Sequence, residues 1–350
     1  MNPLVSIIIT TRNEERNIAN CLESIINSNI ALKQYRHIDK KDKDKSLSKK
    51  LNSYKAKLLS YEIIVVDNNS TDKTKEIAKR YTDKVYNKGP ERSAQRNYGM
   101  IDKAKGKYVM YLDADMILSS TVIEKAVEKL ESSSLKHRPS TISHQSLSDS
   151  IVALYVPEIV LGNSFWNRVR RFERSFYDGT AVDCVRIIRK DIFKKVGGFD
   201  LSMTGPEDWD LDKKVRKAGK TAVLCRYNFD KISRQVKNLN YERDSLVNQL
   251  TKLSPKPLIY HNETEFNLKK YLQKKQYYSK NFDLYFQGWG KDDPDIKKQF
   301  GLWYRYLGVF LENKKWHRLI SHPFLAMGMY VLRTMVGINY LITNLKTLKN

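Results

Sequence analysis

The sequence predicts an α/β protein in which a doubly wound, mostly parallel sheet is flanked by helices. Two observations indicate this fold: apolar runs of strand length alternate with periodic helical stretches, and the strand-like runs end in polar residues. Such alternation is typical of parallel sheets that bind ligands at the carboxyl ends of their strands. The length of 350 residues allows one large or two ordinary domains, since a domain usually has roughly 100 to 200 residues.

The predicted elements follow in order along the first third of the chain. Strands are predicted at residues 4–9, 62–66, 84–86 and 108–112. Helices are predicted from residue 18 onward, at 73–81 and at 93–105. Their apolar residues recur at helical spacing, whereas the strands are short β-branched runs. Ser70 or Thr71 is placed to cap the helix at 73–81.

Three segments interrupt this alternation. Residues 31–58 are polar and basic, residues 132–150 contain eight serines, and residues 228–252 are charged with a helical pattern. We expect all three to be surface insertions into a first domain, 1–257. The chain then becomes helical and aromatic, which predicts a separate C-terminal region, 258–350.

The chain is strongly basic, with 63 Lys and Arg against 39 Asp and Glu and a formal net charge of +24. Residues 31–60 hold ten of the cations against three acids, and residues 251–350 hold seventeen against seven. A solvated lysine-rich surface, an anionic membrane and a nucleic acid are the three interpretations. Because acids cluster at the predicted strand ends and would repel nucleic-acid phosphates, we favour an anionic membrane and expect no nucleic-acid partner.

The last predicted helix, at about residues 316–345, is amphipathic. Its apolar stripe consists of Phe324, Met327, Val331, Met335, Ile338, Ile342 and Leu345, with Arg333 on the far side. Its two uncharged runs, of fourteen and twelve residues, fall short of the roughly 18 that a spanning helix needs. The segment before it is basic and aromatic, with Lys314, Lys315, Trp316 and Arg318. This pattern favours a helix lying in the membrane interface, and packing of the stripe on the protein's own core is the alternative.

The cysteines and the first residues bear on the compartment. Cys21, Cys184 and Cys225 are far apart and lack CxxC spacing, which favours neither a disulfide framework nor a zinc site. Residues 1–11 lack the basic region and cleavage site of a signal peptide. We therefore expect a cytoplasmic protein that is peripheral or monotopic on the cytoplasmic face of a membrane.

Glycine is missing from the first two strand–helix turns, since the first glycine in the chain is Gly89. This excludes the glycine motifs of classical dinucleotide sites and of P-loops. If a phosphorylated ligand binds at this sheet, a metal ion or basic side chains must meet its charge.

Two acidic clusters carry the candidate chemistry. Asp113 and Asp115 follow the predicted strand at 108–112, where they can face one Mg²⁺ or Mn²⁺ ion that also binds diphosphate. A simple polar strand end is the alternative. Glu207 and Asp208 begin a predicted helix, whose dipole favours negative charge there. A carboxylate near the metal could also act as a general base.

Six motifs occur in order along the chain. They are SIIITTRNEE at 6–15, IIVVDNNSTD at 63–72, AQRNYG at 94–99, YLDAD at 111–115, VGGFD at 196–200 and EDWDL at 207–211. Together they closely resemble the family 2 glycosyltransferases of GT-A fold. The resemblance covers residues 4–225 apart from the insertions, and it implies inverting transfer of sugar from a nucleotide diphosphosugar.

The resemblance also implies a role for each matching position. The donor-binding positions are Thr10, Arg12, Glu14, Asp67, Arg92, Arg96, Asn97 and Asp113. The metal positions are Asp113, Asp115 and His261, the acceptor-side positions are Glu207 and Trp209, and the catalytic base is Asp208. Arg12 stands where many members have Tyr, so the nucleobase is left open.

The preferred hypothesis is transfer of one sugar to a hydroxyl, on a lipid-linked glycan acceptor. The processive QxxRW motif is missing, which favours single transfer over polymerisation. A polyprenyl- or dolichyl-phosphate sugar synthase is the nearest alternative. A nucleic-acid-binding protein is an alternative from another class, and a sugar-nucleotide pyrophosphorylase is disfavoured because the first loop lacks glycine.

Overall fold

A computed structural model describes residues 2–38, 60–135, 150–241, 246–253 and 256–347. The central parts of two predicted insertions, 39–58 and 136–149, therefore lie outside the described residues. Residues 31–38 of the first insertion continue a helix that begins at Ile18. The third, 228–252, contains two helices that pack on the strand holding Tyr260.

The structure has ten strands in its described part. They are β1 Val5–Thr11, β2 Tyr61–Asp67, β3 Val85–Asn87, β4 Tyr108–Asp113, β5 Met116–Leu118, β6 Ile151–Tyr155, β7 Glu158–Val160, β8 Ile187–Arg189, β9 Lys220–Val223 and β10 Ile259–His261. Seven form one sheet in the order β3-β2-β1-β4-β8-β6-β9, and the other three form a small sheet in the order β5-β10-β7.

Helices cover both faces of the large sheet and build the C-terminal region. Those of the first part are α1 Ile18–Ile38, α2 Thr74–Lys79, α3 Arg92–Asn97, α4 Val122–Leu135, α5 Phe165–Arg174, α6 Lys190–Lys195, α7 Glu207–Ala218, α8 Phe229–Lys237 and α9 Leu246–Leu253. Those of the second part are α10 Leu268–Ser279, α11 Phe282–Trp289, α12 Pro294–Phe300, α13 Val309–Glu312, α14 His317–Ser321 and α15 Pro323–Thr347. Tyr98–Lys103 and Tyr304–Gly308 are π-helical.

The large sheet confirms the predicted α/β class. Strand β1 pairs in parallel with β2 and β4, and only β8 runs antiparallel to its neighbours within this sheet. Every residue of β1 is buried, because helices cover both faces, as a parallel sheet requires. The carboxyl ends of β1, β2 and β4 therefore lie side by side, with Thr10 opposite Asp113.

The small sheet brings the C-terminal region to that same edge. Strand β10 follows the predicted domain boundary at 257, yet it pairs antiparallel with β5 and parallel with β7. His261 in β10 is opposite Met116, directly after the Asp113–Asp115 turn. The division into 1–257 and 258–350 stays a prediction.

The predicted helix cap at Ser70 or Thr71 was wrong. The N-cap of α2 is Lys73, without a side-chain cap, and Asp72 instead accepts a hydrogen bond from the backbone N–H of Thr74 at 3.0 Å. The helix begins only at Thr74, and the hydroxyl of Ser70 already accepts a hydrogen bond from the backbone N–H of Asn13 at 2.8 Å while it donates to Asp67. The contact with Asn13 joins two distant segments, so the local sequence does not predict it.

The predicted helix at 316–345 is divided at Pro323 into α14 and α15, since proline starts a helix readily but lacks the N–H to continue one. Much of the predicted stripe faces outward. The exposed side chains are Ile320, Phe324, Met327, Val331, Ile338, Leu341 and Ile342, and we call them the apolar face. The stripe therefore does not pack on the protein's own core over this stretch.

Arg333 faces inward, as the predicted stripe requires. It is 6% exposed, its Nε donates to Glu173 of α5 at 2.9 Å, and its Nη2 donates to the hydroxyl of Tyr177 at 2.9 Å. By length and composition alone, Pro323–Ile342 is apolar enough to cross a membrane, which its two separate uncharged runs did not indicate.

The basic residues before α15 do not all face solvent. Lys315 pairs with Asp178 at 3.0 Å, and Arg318 donates to the carbonyl oxygen of Ser175 at 3.2 Å. Lys314 is exposed. Two of the three cations predicted to meet a membrane therefore bind the protein instead.

Replacing Glu173 by Gln should lower the free energy of unfolding near neutral pH by roughly 3 to 5 kcal/mol, because Arg333 becomes a buried charge without its partner. Burial alone would raise the pKa of Glu173, but Arg333 and Arg170 outweigh it and lower the pKa from 4.5 to about 2. The carboxylate's contribution is thus present above pH 4.5 and is lost as the pH falls towards about 2.

Denaturant unfolding of both proteins across this pH range measures the effect. The difference between wild type and Glu173→Gln should shrink as the pH falls. Glu265→Gln is the control, since Glu265 pairs with Arg16 on the surface at 2.8 Å and its loss should cost less than about 1 kcal/mol. A Glu173→Gln protein as stable as this control, or a difference independent of pH, would contradict the account.

Candidate active site

A cluster of acids and arginines lies at the carboxyl edge of the large sheet. Asp113 ends β4, and the hydroxyl of Thr10 at the end of β1 donates to its Oδ1 at 3.2 Å. Glu207 and Asp208 begin α7 on the opposite side of the cluster. The sheet and α7 thus present two separate acidic edges to each other.

Arg96 of α3 joins these edges. Its side chain is fully buried, with Nη2 donating to Asp113 at 3.0 Å and Nη1 donating to Asp208 at 2.8 Å. The guanidinium also lies over the rings of Tyr111 and Phe199, at 4.6 Å and 5.1 Å from their centroids. The planar fork can bind two carboxylates at once, so one side chain fixes the spacing of both acids.

The charges of this bridge are mutually stabilised. Burial alone would lower the pKa of Arg96, but Asp208 and Asp113 outweigh it and raise that pKa. Burial would likewise raise the pKa of Asp113, but Arg96, Arg92 and Arg186 hold it well below its ordinary value. The arginine and Asp113 therefore stay ionised together.

Arg92 forms a second link one helical turn earlier. Its Nη2 donates to the buried Glu207 at 2.8 Å, and its Nη1 is 3.9 Å from Asp113. Its guanidinium lies 5.2 Å from the ring centroid of Tyr278 in α10. Burial and the neighbouring Asp208 raise the pKa of Glu207 despite Arg92. Because Arg92 is 29% exposed, it can still meet an incoming anion.

Asp115 lies on the other side of Asp113 and meets the C-terminal region. Its Oδ2 is 3.0 Å from Nε2 of His261, whose Nδ1 is 3.7 Å from Glu263. Burial favours the neutral imidazole, yet Asp115, Glu263 and Glu158 outweigh it and raise the pKa of His261 to about 9. This region of β10 therefore places an imidazole beside the predicted metal-binding acid.

The donor atoms at Asp115 fit a hard divalent cation in part. Oδ1 of Asp115 is buried and makes no hydrogen bond within the described residues, and a carboxylate oxygen is the ligand that Mg²⁺ and Mn²⁺ prefer. Asp113 is engaged by Arg96. No group of three His, Cys, Asp or Glu side chains close enough to hold a metal occurs in the described ranges. A metal here would need further ligands from its substrate.

Glu14 is the third acid at this edge. Its side chain accepts a hydrogen bond from Asn17 at 2.8 Å. Burial, together with the nearby Asp115 and Asp113, raises the pKa of Glu14. Five predicted side chains besides Glu14 therefore surround one space: Asp113, Asp115, Arg92, Arg96 and Asp208.

Four predicted residues are engaged elsewhere or stand apart. Asn97 exchanges two hydrogen bonds with the backbone of Phe199, at 2.8 Å and 2.9 Å. Asp67 is fully buried and accepts a hydrogen bond from the hydroxyl of Ser70. The ring of Trp209 packs among the aromatic residues of α11 and α12, and Arg12 is exposed just beyond β1.

Two residues next to the site were not predicted. Glu263 faces His261 and binds Arg170 through two hydrogen bonds, at 2.9 Å and 3.2 Å. Its position two residues after the histidine was the only sequence signal for it. Tyr278 contacts Arg92 because α10 folds back over the site, which helical periodicity does not predict.

Comparison with known proteins gives one family. A family model described as Glycosyl transferase family 2 matches residues 6–197, more than half of the chain. An uncharacterized glycosyltransferase of Rickettsia typhi is 27% identical over 221 residues, which cover 60% of this chain and 58% of that protein. The chain thus matches less than two thirds of the length of this relative.

Two solved structures are among those to which the chain is similar. S. aureus TarS 1-349 gives a TM-score of 0.42 at 14% identity, over 99% of this chain and 91% of that chain. Mannosyltransferase PcManGT from Pyrobaculum calidifontis, in complex with GDP-Man and Mn²⁺, gives 0.49 at 17% identity, over 98% and 86%.

Proposed function

Because this chain belongs to glycosyl transferase family 2, we propose that it moves one sugar from a nucleotide diphosphosugar to an acceptor hydroxyl, with inversion at the anomeric carbon. The observation that carries the proposal is the Arg96 bridge, which holds Asp113 and Asp208 at 3.0 Å and 2.8 Å from one guanidinium. Donor-side and acceptor-side carboxylates are thereby kept at a fixed separation. Such positioning is what a single displacement requires.

Asp208 is the general base in this proposal. Arg96 donates only to Oδ1 of Asp208. Oδ2 of Asp208 makes no side-chain hydrogen bond within the described ranges. The side chain is 27% exposed, so a hydroxyl can reach it. The acceptor oxygen bonds to the anomeric carbon as the bond to the diphosphate breaks, and Asp208 receives the proton. No covalent sugar–protein intermediate is needed.

Asp115 and His261 are the residues that would hold Mg²⁺ or Mn²⁺. Their support is the unpartnered, buried Oδ1 of Asp115 and the imidazole 3.0 Å from its other oxygen. When bound, the metal neutralises charge on the diphosphate leaving group. Arg92 lies beside Asp113 with part of its guanidinium exposed and can pair with the same diphosphate.

The remaining proposed donor-binding residues lie at the carboxyl edge of the large sheet. Thr10, Glu14 and Asp67 lie at or just beyond the ends of β1 and β2, where a nucleotide binds in sheets of this type. Arg12 is exposed there and free to contact the nucleotide. Glu207 and Trp209 belong to the acceptor side because they flank Asp208 on α7.

The acceptor is a lipid-linked glycan in this proposal, and the protein sits on the cytoplasmic face of an anionic membrane. The support is the apolar face, in which Phe324 is 76% and Met327 is 60% exposed. Leu302, Trp303 and Leu307, also exposed, extend the apolar surface beside α15. Contiguous exposed apolar surface of this kind marks interaction sites. Because Arg333 binds Glu173 of α5, one side of α15 is held against the rest of the protein while the apolar face points outward. This arrangement favours a helix that lies on the membrane over one that crosses it.

A polyprenyl- or dolichyl-phosphate sugar synthase is the second candidate. Its support is the pair Lys275 and Arg305, which contact the rings of Tyr271 and Tyr177 and bind no carboxylate in the described part of the chain. An acceptor phosphate is already an anion, so this reaction has no need of a general base. The two candidates therefore differ in their dependence on Asp208.

Replacing Asp208 by Asn should reduce sugar transfer to a hydroxyl acceptor by roughly 100-fold or more, as expected for loss of a general base. Donor binding should remain, because Asp115 and His261 are unchanged. Thermal stabilisation by UDP-, GDP- and TDP-sugars with Mn²⁺ measures binding, and product formation measures transfer.

Asp115→Asn is the matched variant, since it should lose the Mn²⁺-dependent stabilisation itself. Near-normal hydroxyl transfer by Asp208→Asn would disprove the base assignment. Transfer by Asp208→Asn to a lipid phosphate, together with loss of transfer to a hydroxyl, would support the second candidate.

The double variant Phe324→Ser, Met327→Ser should bind vesicles of phosphatidylglycerol and phosphatidylcholine at least roughly tenfold more weakly than wild type. Removing two exposed apolar side chains from an interface costs more than the 1.4 kcal/mol that corresponds to that factor. Flotation of the protein with vesicles measures the binding.

Leu201→Ser is the control, because Leu201 is 62% exposed but lies outside the apolar face. Equal flotation of the double variant and this control would remove the basis for the membrane surface. If wild type bound vesicles of phosphatidylcholine alone as tightly as vesicles that also contain phosphatidylglycerol, this result would contradict an anionic partner.

A further inference from the structure

Helix α10 carries a lysine to which no carboxylate of the described residues is bound. Lys275 is half-buried, and its ammonium makes no hydrogen bond or ion pair in the part of the chain that the structure describes. Its Nζ lies 5.4 Å from the ring centroid of Tyr271, and Arg170 of α5 lies 4.8 Å from the same ring. Arg305 of the segment Tyr304–Gly308 and Glu173 of α5 are also within electrostatic reach of Lys275. Burial and then Arg170 lower the pKa of Lys275 to about 7.

The carboxylates nearby are already taken. Glu263 binds Arg170 through two hydrogen bonds, and Glu173 binds Arg333 at 2.9 Å. Arg305 contacts the ring of Tyr177, 5.7 Å from its centroid, and its guanidinium makes no hydrogen bond within the described residues. Within the described residues, Lys275 and Arg305 therefore have no carboxylate bound to them; Glu173 is within electrostatic reach of both, but Arg333 already binds it.

These two cations lie between the active site and the apolar face. One turn beyond Lys275, Tyr278 contacts Arg92, which binds Glu207 beside Asp208. On the other side, Asn339 of α15 donates to the carbonyl oxygen of Leu272 in α10 at 2.9 Å. Tyr306, next to Arg305, stacks on Tyr330 of α15 with centroids 5.9 Å apart.

We propose that Lys275 and Arg305 form a phosphate-binding site for the phosphate or diphosphate group of the lipid-linked acceptor. Two basic side chains without a bound carboxylate match a phosphate group, which carries about two negative charges and three strong acceptor oxygens. Their position suits a molecule whose lipid chain lies on the apolar face and whose sugar reaches Asp208. The site deepens the proposed function and rests on it for the identity of the acceptor.

The alternative is that Lys275 is neutral in the folded protein. A lysine with a lowered pKa can release its proton, and the cluster then needs no anion. This account predicts that phosphate compounds bind no better to wild type than to a protein lacking Lys275. The two accounts therefore differ in a binding experiment that involves no donor and no turnover.

The test is calorimetric titration of the full chain with inorganic phosphate and with geranylgeranyl phosphate in detergent, both in the presence of EDTA. The chelator keeps any metal-dependent phosphate binding at Asp115 out of the measurement. Lys275→Gln and Arg305→Gln should each weaken geranylgeranyl phosphate binding roughly tenfold or more, as expected for loss of a charge-assisted hydrogen bond.

Lys269→Gln is the matched control, since Lys269 is exposed on the same helix, and it should bind like wild type. Lys275 makes no hydrogen bond or ion pair within the described residues, so a folded Lys275→Gln protein is expected. Equal binding by wild type, Lys275→Gln and Lys269→Gln would overturn the proposal. If wild type bound inorganic phosphate as tightly as geranylgeranyl phosphate, the assignment of the site to a lipid-linked phosphate would be overturned.

Asp208→Asn separates this site from the proposed function. It should bind geranylgeranyl phosphate as wild type does, while failing to transfer sugar to a hydroxyl. If Lys275 and Arg305 proved not to bind phosphate, Asp208→Asn would still lose sugar transfer to a hydroxyl. If Asp208→Asn transferred sugar normally, the proposed base would be disproved and the phosphate-binding result would stand.

Discussion

The structure of the site depends on one buried cation, Arg96. A fully buried guanidinium is costly unless its charge is paired and its donors are bound. Arg96 meets both conditions with Asp113 from the sheet and Asp208 from α7, and with the rings of Tyr111 and Phe199. Because each acid lies on a different element, the arginine determines how α7 sits over the sheet edge. Together with Arg92, which links Asp113 to Glu207, Arg96 thus sets the distance between the two halves of the site.

A chain of charged contacts continues from the site into the C-terminal region. It runs from Asp115 to His261 and Glu263, then through Arg170 and Glu173 to Arg333 on α15. Its links range from 2.9 Å to 3.7 Å. Acids and bases alternate along it, so each buried charge has a counterpart, as buried ions require. The helix with the apolar face is therefore tied electrostatically to the predicted metal-binding acid.

The sequence predicted the local features of this arrangement, and the family and the α/β fold are confirmed. The strands and the acids at their ends follow from short-range patterns, and Arg333 was placed correctly opposite the stripe. Contacts between distant segments could not be predicted. Arg96 and Asp208 are 112 residues apart, and nothing near Asn97 shows that its amide binds Phe199. The predicted cap at Ser70 was wrong because the helix begins only at Thr74 and the hydroxyl of Ser70 accepts from the distant Asn13. Lys315 pairs with Asp178 instead of facing a membrane.

The central claim is a single displacement with Asp208 as the base, and the anomeric configuration of the product tests it most directly. The full chain with Mn²⁺ and an α-linked sugar nucleotide is allowed to transfer sugar to water, and proton NMR records the released sugar before it equilibrates. The account predicts that the β-anomer forms first. Initial release of the α-anomer would contradict it, because a single displacement from the face opposite the leaving group inverts the anomeric carbon.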